Sequence, residues 1–259
     1  MARREKTNYI IRSVSHALDV IEQFFGDADE LGVTELSKRL KLHKNNIFRL
    51  LATLESRGYI EQNKATENYR LGVRSLRLGQ AYVGRMGLLR QARPIMESLV
   101  KQCRESAYVA VSRRGAMVPL DSVDADQPVR LVSQIGESLP LHCTAVGKAH
   151  LAFEADAELR GRLPEGLKRL TAQTVTDRPT LTQQLRAIIE AGYAVDRGEF
   201  IDDVSSIAVP IRDYTGHMVG ALAVSGPSYR MPAERIEKEM APAMLKAGQE
   251  LSSRLGFNA

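Results

Sequence analysis

Along the first seventy residues, apolar positions recur at intervals of three and four and break off at polar clusters, the signature of short amphipathic helices. A first helix is expected from a Ser13 N-cap to about Phe25, with Val14, Leu18, Ile21 and Phe25 on one stripe. The loop "GDADELG" follows, then a short helix capped by Thr34 in which Leu36 and Leu40 stand four apart. "KLHK" is a turn, and a third helix is expected from about Lys44 to Arg57. Gly58 sits directly after it, where a left-handed residue belongs. Two strand-like pieces, "GYIEQ" and "NYRLG", flank the polar turn "NKATEN". Three helices and a β-hairpin describe a winged helix-turn-helix over residues 10–72, preceded by a basic flexible arm at 1–9.

From Val73 to about Arg104 the pattern is helical again, with Leu76, Leu78, Leu88, Leu89, Ile95 and Leu99 as its apolar positions. Pro94 tolerates only a first turn or a kink. This reads as a stiff linker helix at 73–87, a break near Gly84–Gly87, and a helix opening a second domain at 88–259. That domain alternates. "AYVAVSRRGAMVPLDSV" is a hairpin turning at Arg114-Gly115, "PVRLVSQ" a third strand, and "TAVGKAHLAF" a helix. "TLTQQLRAIIEAGY" is a helix capped by Thr180, and "SSIAVPIRDYTGHMVGALAVSG" a hairpin turning at Thr215-Gly216. A helix from Pro232 to about Leu255 closes the chain. Hairpins between helices mean an α+β domain with a mainly antiparallel sheet flanked by helices.

Composition changes the picture in two places. The two cysteines, Cys103 and Cys143, suit reduced thiols in a cytoplasmic protein, and no apolar run is long enough to cross a membrane. The net charge of +5 is unevenly placed. Residues 1–80 hold 14 Lys+Arg against 10 Asp+Glu, and residues 81–259 hold 22 against 21. The excess therefore belongs to the helical third, as in a polyanion-binding module joined to a near-neutral one.

The third helix shows where that charge would act. With Ile47 at the origin of a wheel turning about 100° per residue, Leu50, Leu51 and Leu54 fall within about 60° of it. Asn45, Arg49, Ala52 and Thr53 cluster opposite, with Asn46 at their edge and Lys44 in the first turn. Asn pairs bidentately with adenine and Arg with guanine, and Lys serves phosphates. The candidate DNA contacts are therefore Lys44, Asn45, Asn46, Arg49 and Thr53. Lys64 at the wing tip joins them, as do Arg3 and Arg4, with Lys6, in the arm.

The run "IIRSVSHALDVIEQFF…GVTELSKRLKLHKNNIFRLLATLESRGYIEQN…YRLGVRSLRLG" resembles the DNA-binding domain of the IclR family of bacterial transcriptional regulators, most specifically in "RLLATLESRGYI" and "YRLG". Where that family usually shows Pro-Lys-Ser-Thr, this chain has His43-Lys44-Asn45-Asn46, so the DNA sequence it reads is its own. "GESLPLHCTAVGKAHLAF" and "GYAVDRGEFIDDVSSIAVPIRDYTGHMVGALAVSGP" resemble the family's effector-binding domain. The resemblance implies a GAF-like fold and a small organic effector, often a carboxylate. It further implies a homodimer or dimer of dimers on a double-stranded operator. A metal reading lacks spaced ligands, and no cofactor or membrane partner is expected.

By motif position, the resemblance implies that Asp196, Ser206 and Ser225 line the effector pocket. Ala223 stands where some relatives carry a ligand-binding Ser, so the relatives' ligands do not transfer. Thr144, Ala145 and Val146 independently open a helix whose first N–H groups suit an anion, and Gly147 permits close approach. Lys148, in that helix's first turn, is expected to face solvent, with facing the anion as the alternative. Two rival readings stand beside this one: a thiol-dependent enzyme using Cys143 at that helix terminus, and a ligand-independent DNA-binding protein. The first is weakened because His142 and Cys143, adjacent on an extended chain, point apart. The second leaves 180 near-neutral residues without a role.

Overall fold

The computed structural model describes residues 10–26, 28–85, 87–153 and 166–257, and the chain divides into two compact units, Met1–Arg85 and Met86–Ala259. In the first unit, α1 (Arg12–Glu22) runs into a 3-10 turn (Gln23–Phe25), and α2 (Val33–Leu40) and α3 (Lys44–Ser56) follow. Their core is Val20, Phe24, Leu36, Ile47, Leu51 and Leu54, closed by Ile60 and Tyr69 of the hairpin β1 (Ile60–Gln62) and β2 (Tyr69–Leu71). Lys41 takes a left-handed φ of 54° between α2 and α3, and Ser37 Oγ donates to Leu42 O across that turn at 2.6 Å. Gly58 has φ +73° after α3, the conformation its position implied. The hairpin pairs Ile60 with Leu71 and Gln62 with Tyr69, and the backbone of Leu31 bonds Tyr69 on its other side. α4 (Val73–Arg85) completes the unit.

Two expectations for the helix starts fail. The N-caps of α1 and α2 are Ile11 and Gly32, without side-chain capping bonds, rather than Ser13 and Thr34. The apolar stripe on α1 is present, but of it only Ile21 packs against the core. Val14 and Leu18 are each 54% exposed and Phe25 is 72% exposed, while Val20 and Phe24 pack inward. α1 carries apolar residues on two faces, and only one meets α3.

The second unit begins with α5 (Gly87–Cys103), which contains Pro94, and continues into β3 (Ser106–Arg113) and β4 (Ala116–Val123). The turn between the strands puts Arg114 and Gly115 both at positive φ. Next come α6 (Ala145–Phe153), α7 (Arg178–Ala191), β5 (Ala194–Arg197), β6 (Val204–Arg212) and β7 (Met218–Pro227). The five strands form one sheet in the order β4-β3-β7-β6-β5, antiparallel at every pairing.

Side chains alternate across this sheet with period two. Val109, Val111, Ile207, Val209, Leu222 and Val224 join the core shared with α5 and the C-terminal helix. Ala110, Ala208, Ala221 and Ala223 face α6 and α7. The difference in size sets how near each helix layer can come. Alanines on the α6 side let that helix sit close, and it is buried along Ala145–Ala152 with no solvent face. A Cβ on Gly147 would lie 2.5 Å from Leu141 O and 2.6 Å from Pro140 O.

Two further expectations are corrected and a third is refined. "PVRLVSQ" is not a strand: residues 124–138 form an irregular crossing, and Val129, Val132 and Ile135 are exposed. Asp177 caps α7, accepting from Thr180 N at 2.8 Å, because Pro179 belongs in a first turn and pushes the cap upstream. The closing helix runs unbroken where expected but is not α-helical throughout. It starts as α8 (Ala233–Arg235), widens to a π-helical turn at Ile236–Met240, and resumes as α9 (Ala241–Arg254). Pro242, which lacks an N–H, sits just after the widened turn.

Gly147→Ala should destabilise the protein by about 1–3 kcal/mol in urea unfolding, despite alanine's higher helix propensity, because the intruding methyl meets backbone that cannot swing away. A neutral or stabilising result would mean that α6 and the Pro140–Leu141 segment can separate freely.

Candidate DNA-binding and effector sites

On α3, Ile47, Leu51 and Leu54 are buried, and this turns Lys44, Asn45, Asn46, Phe48, Arg49 and Thr53 outward. Neighbouring cations are paired within the protein, Arg39 with Glu35 and Arg70 with Glu61. Among the described residues, the side chains of Lys44, Asn45, Asn46 and Arg49 have no hydrogen-bond or ion-pair partner. Thr53 differs: its hydroxyl donates to Arg49 O at 2.8 Å, leaving only acceptor capacity for a ligand. Lys64 is exposed in a wing turn that Glu30 holds by accepting from Asn63 Nδ2 and Thr66 Oγ1, each at 2.7 Å. Arg3, Arg4 and Lys6 lie outside the described residues.

In the second unit, Thr144, Asp196, Ser206 and Ser225 line one cavity of about 220 Å³, together with Tyr108 and Phe200. Sheet register explains much of this. Asp196 pairs with Ser206 on β6, and Ser206 with Ser225 on β7, so the three form a single rung across β5, β6 and β7. Ser225 Oγ donates to Ser206 Oγ at 2.7 Å. The Tyr108 phenol is buried beside this rung, and burial pushes its pKa well above the usual range. Leu131 to Gln134, from the irregular crossing, close the cavity's other side.

Thr144 caps α6: its hydroxyl donates to Pro140 O at 2.7 Å and accepts from Gly147 N at 3.1 Å. The first backbone bond of the helix runs from Lys148 N to Thr144 O at 2.9 Å, so the N–H groups of Ala145 and Val146 precede the ladder. Ala145 is itself fully buried and is not among the cavity-lining side chains. No lysine or arginine lines this cavity among the described residues, whereas Asp196 and Glu137 do. An anion placed here would be held by backbone dipoles and hydroxyls, and not by a cationic side chain.

Residues 13–64 match the model of the IclR helix-turn-helix domain, and residues 80–253 match that of the bacterial transcriptional regulator IclR C-terminal domain. The chain belongs to the IclR family. It is 32% identical to the HTH-type transcriptional regulator BhcR of Paracoccus denitrificans, over 93% of this chain and 86% of that one. Its fold is similar to the crystal structure of a transcriptional regulator from Rhodococcus sp. RHA1, with TM-score 0.85, 26% identity, and coverage of 95% and 98% of the two chains. It is also similar to an IclR homologue from Microbacterium hydrocarbonoxydans solved in complex with 4-hydroxybenzoate. There the TM-score is 0.81 and the identity 24%, over 94% of this chain and 98% of that one. This IclR-family chain is accordingly a DNA-binding transcriptional regulator and not an enzyme.

The cysteine chemistry of this IclR regulator agrees. Cys143 is fully buried, and desolvation pushes its thiol up to about 12, with Asp196 and Glu199 adding to the effect. That is the reverse of what an activated nucleophile needs. His142 does not serve it, since its Nε2 hydrogen-bonds Lys168 O at 3.0 Å.

Lys148 contradicts its expected place in solvent: its side chain is 2% exposed and ion-pairs Glu199 Oε1 at 2.5 Å. The helix that bears it has no outer face, so the ammonium must find a partner inside. Glu199 went unnoticed in the sequence, where nothing in the loop "RGEFID" distinguishes it from a surface acid. The same residue's N–H donates to Asp196 Oδ1 at 2.7 Å. Asp196 is pushed up to about 7, chiefly by burial and further by Glu199, while the Glu199 N–H and Lys148 pull the other way.

Asp196 thus keeps its proton in the folded protein up to about pH 7 but loses it near 3.8 when exposed. The folded state binds more protons across that window, so stability should fall as pH rises through it. Asp196→Asn stays neutral throughout and keeps an acceptor for Glu199 N. Thermal unfolding at pH 5 and pH 8 should therefore show a smaller drop in Tm for Asp196→Asn than for the parent. Equal drops would mean that Asp196 titrates as an exposed carboxyl.

Proposed function

We propose that this regulator binds operator DNA through α3 and is controlled by a small organic carboxylate held over the Asp196–Ser206–Ser225 rung. The observation that carries the reading is the convergence, in one cavity, of that polar rung with the N-terminus of α6 at Thr144. The carboxylate would accept from the first-turn N–H groups, and its polar remainder would meet Ser225, Tyr108 and the protonated form of Asp196. A homologue of the same fold holds 4-hydroxybenzoate, a ligand of this general kind. The control is a population shift. The effector binds one arrangement of the regulator better than another, and a coupling of about 1–3 kcal/mol between the sites is usual.

The regulator acts as a homodimer, or a dimer of such dimers, in the cytoplasm. Two recognition helices must reach half-sites about one helical turn apart. The apolar stripe of α1 would supply a surface for pairing: Leu18, Ile21 and Phe25 surround, with Leu71, Val73 and Leu76, an apolar hollow of about 1340 Å³ within the N-terminal unit. A second copy covering it would bury large side chains now exposed to water. No helix among the described residues is long and apolar enough to cross a membrane.

Arg49→Ala should weaken operator binding by about 1–3 kcal/mol and relax base preference at one position per half-site, read by competition binding against a sequence library. Retention of full affinity and preference would remove α3 from the groove. In a thermal-shift screen of small carboxylates, the parent should show stabilisers, with about 2.7 kcal/mol gained at 100 times the dissociation constant. Ser225→Ala should lose most of that gain while binding operator as tightly as the parent in the absence of effector. An unaltered response in the variant would take Ser225 out of the effector site.

A further inference from the structure

Phe48 is 57% exposed in the middle of α3. It is the one large apolar side chain of that helix left in solvent, since Ile47, Leu51 and Leu54 are taken up by the core and Leu50 packs against it. On the helical wheel Phe48 lies about 100° from Ile47, between Lys44 at about 60° and Asn45 at about 160°, with Ala52 one turn further on. The other large exposed apolar residues of the N-terminal unit do not account for it. Leu18, Phe25, Val73, Leu76 and Leu78 gather around the hollow between α1 and α4, and Phe48 is not part of that lining.

What could cover this ring must also accept its neighbours. Lys44, Asn45 and Arg49 are exposed and without side-chain partners among the described residues. An apolar protein surface closing over Phe48 would strip water from these groups and offer nothing in return, at a cost of kilocalories for each. The floor of a DNA major groove has what is needed on one surface: phosphates and base edges for the polar residues, and the thymine C5-methyl as its apolar feature. We infer that Phe48 is a specificity-determining residue that packs its ring on the C5-methyl of one thymine in each half-site, beside the bases read by Asn45 and Arg49. The inference rests on the proposal that α3 enters the major groove, and it adds the base and the atom that Phe48 reads.

The experiment removes the methyl from DNA and the ring from protein separately. An operator is first selected from a random duplex library with the full-length parent protein. Each thymine of a half-site is then replaced in turn by deoxyuridine, which lacks only the methyl, and affinities are measured for the parent and for Phe48→Ala. At one thymine per half-site, the parent should lose about threefold to tenfold, as expected for one buried methyl. Phe48→Ala should bind the thymine operator more weakly than the parent and lose nothing further with deoxyuridine at that position. Because Phe48 is outside the core, circular dichroism and Tm should match the parent. Deoxyuridine that is tolerated everywhere, or that penalises both proteins equally, overturns the assignment while leaving α3 in the groove. Failure of the parent to select any sequence overturns the placement of α3 itself.

Discussion

Helix α6 has nowhere to turn but inward. It is clamped on the sheet through alanines and capped at close range by the Pro140–Leu141 backbone, a fit that only glycine at position 147 allows. The rest of the proposed effector site follows from this clamp. The helix N-terminus is fixed over the rung formed by Asp196, Ser206 and Ser225, and its N–H groups have no ladder partners of their own. The clamp also traps Lys148. Nearly cut off from solvent, its ammonium pairs with Glu199, and the same loop returns an N–H to Asp196. Packing and electrostatics are therefore one problem here: a helix buried on all sides must neutralise its lysine inside. The same burial, with the charge of Glu199 adding to it, leaves Asp196 poised near neutrality.

The N-terminal unit solves the opposite problem. Helix α3, the proposed recognition helix, buries a narrow apolar stripe and leaves the remaining circumference to water, with four polar side chains that no neighbouring residue among those described engages. Such a face is stable in water yet has much to gain from a polyanion, through counterion release from phosphates and through base-edge hydrogen bonds. The second apolar face of α1 and the exposed Phe48 are costs of the isolated chain, at places where a second copy and DNA respectively would remove them.

How much of this was legible in the sequence depends on whether the deciding interaction is local. The stripe of α3 was legible because Ile47, Leu51 and Leu54 follow one helical period without competition. On α1 two apolar stripes compete, and only contact with α3 chooses between them. The segment from Pro128 to Gln134 has the composition of a strand. Its apolar residues instead divide between the cavity and solvent, and the sheet has already found its pairings elsewhere. Thr180 and Asp177 are both good caps, and the place of Pro179 decides for Asp177. Burial of Lys148 was illegible in principle, since its partner lies 51 residues away in an unremarkable loop. The acid and two serines of the pocket were reached through resemblance. What joins them physically, a rung of the sheet, becomes visible only once strand register is known.

The central claim is that occupancy of the cavity and occupancy of the operator are energetically coupled. Linkage makes this measurable from either side, because an effector that changes operator affinity by some factor must find its own affinity changed by the same factor when operator is bound. The most direct measurement is calorimetric titration of a stabilising carboxylate into the full-length protein, alone and saturated with operator. The account predicts two dissociation constants that differ by about 5-fold to 150-fold, equal to the ratio of operator affinities with and without the carboxylate. Identical dissociation constants in the two titrations would contradict it.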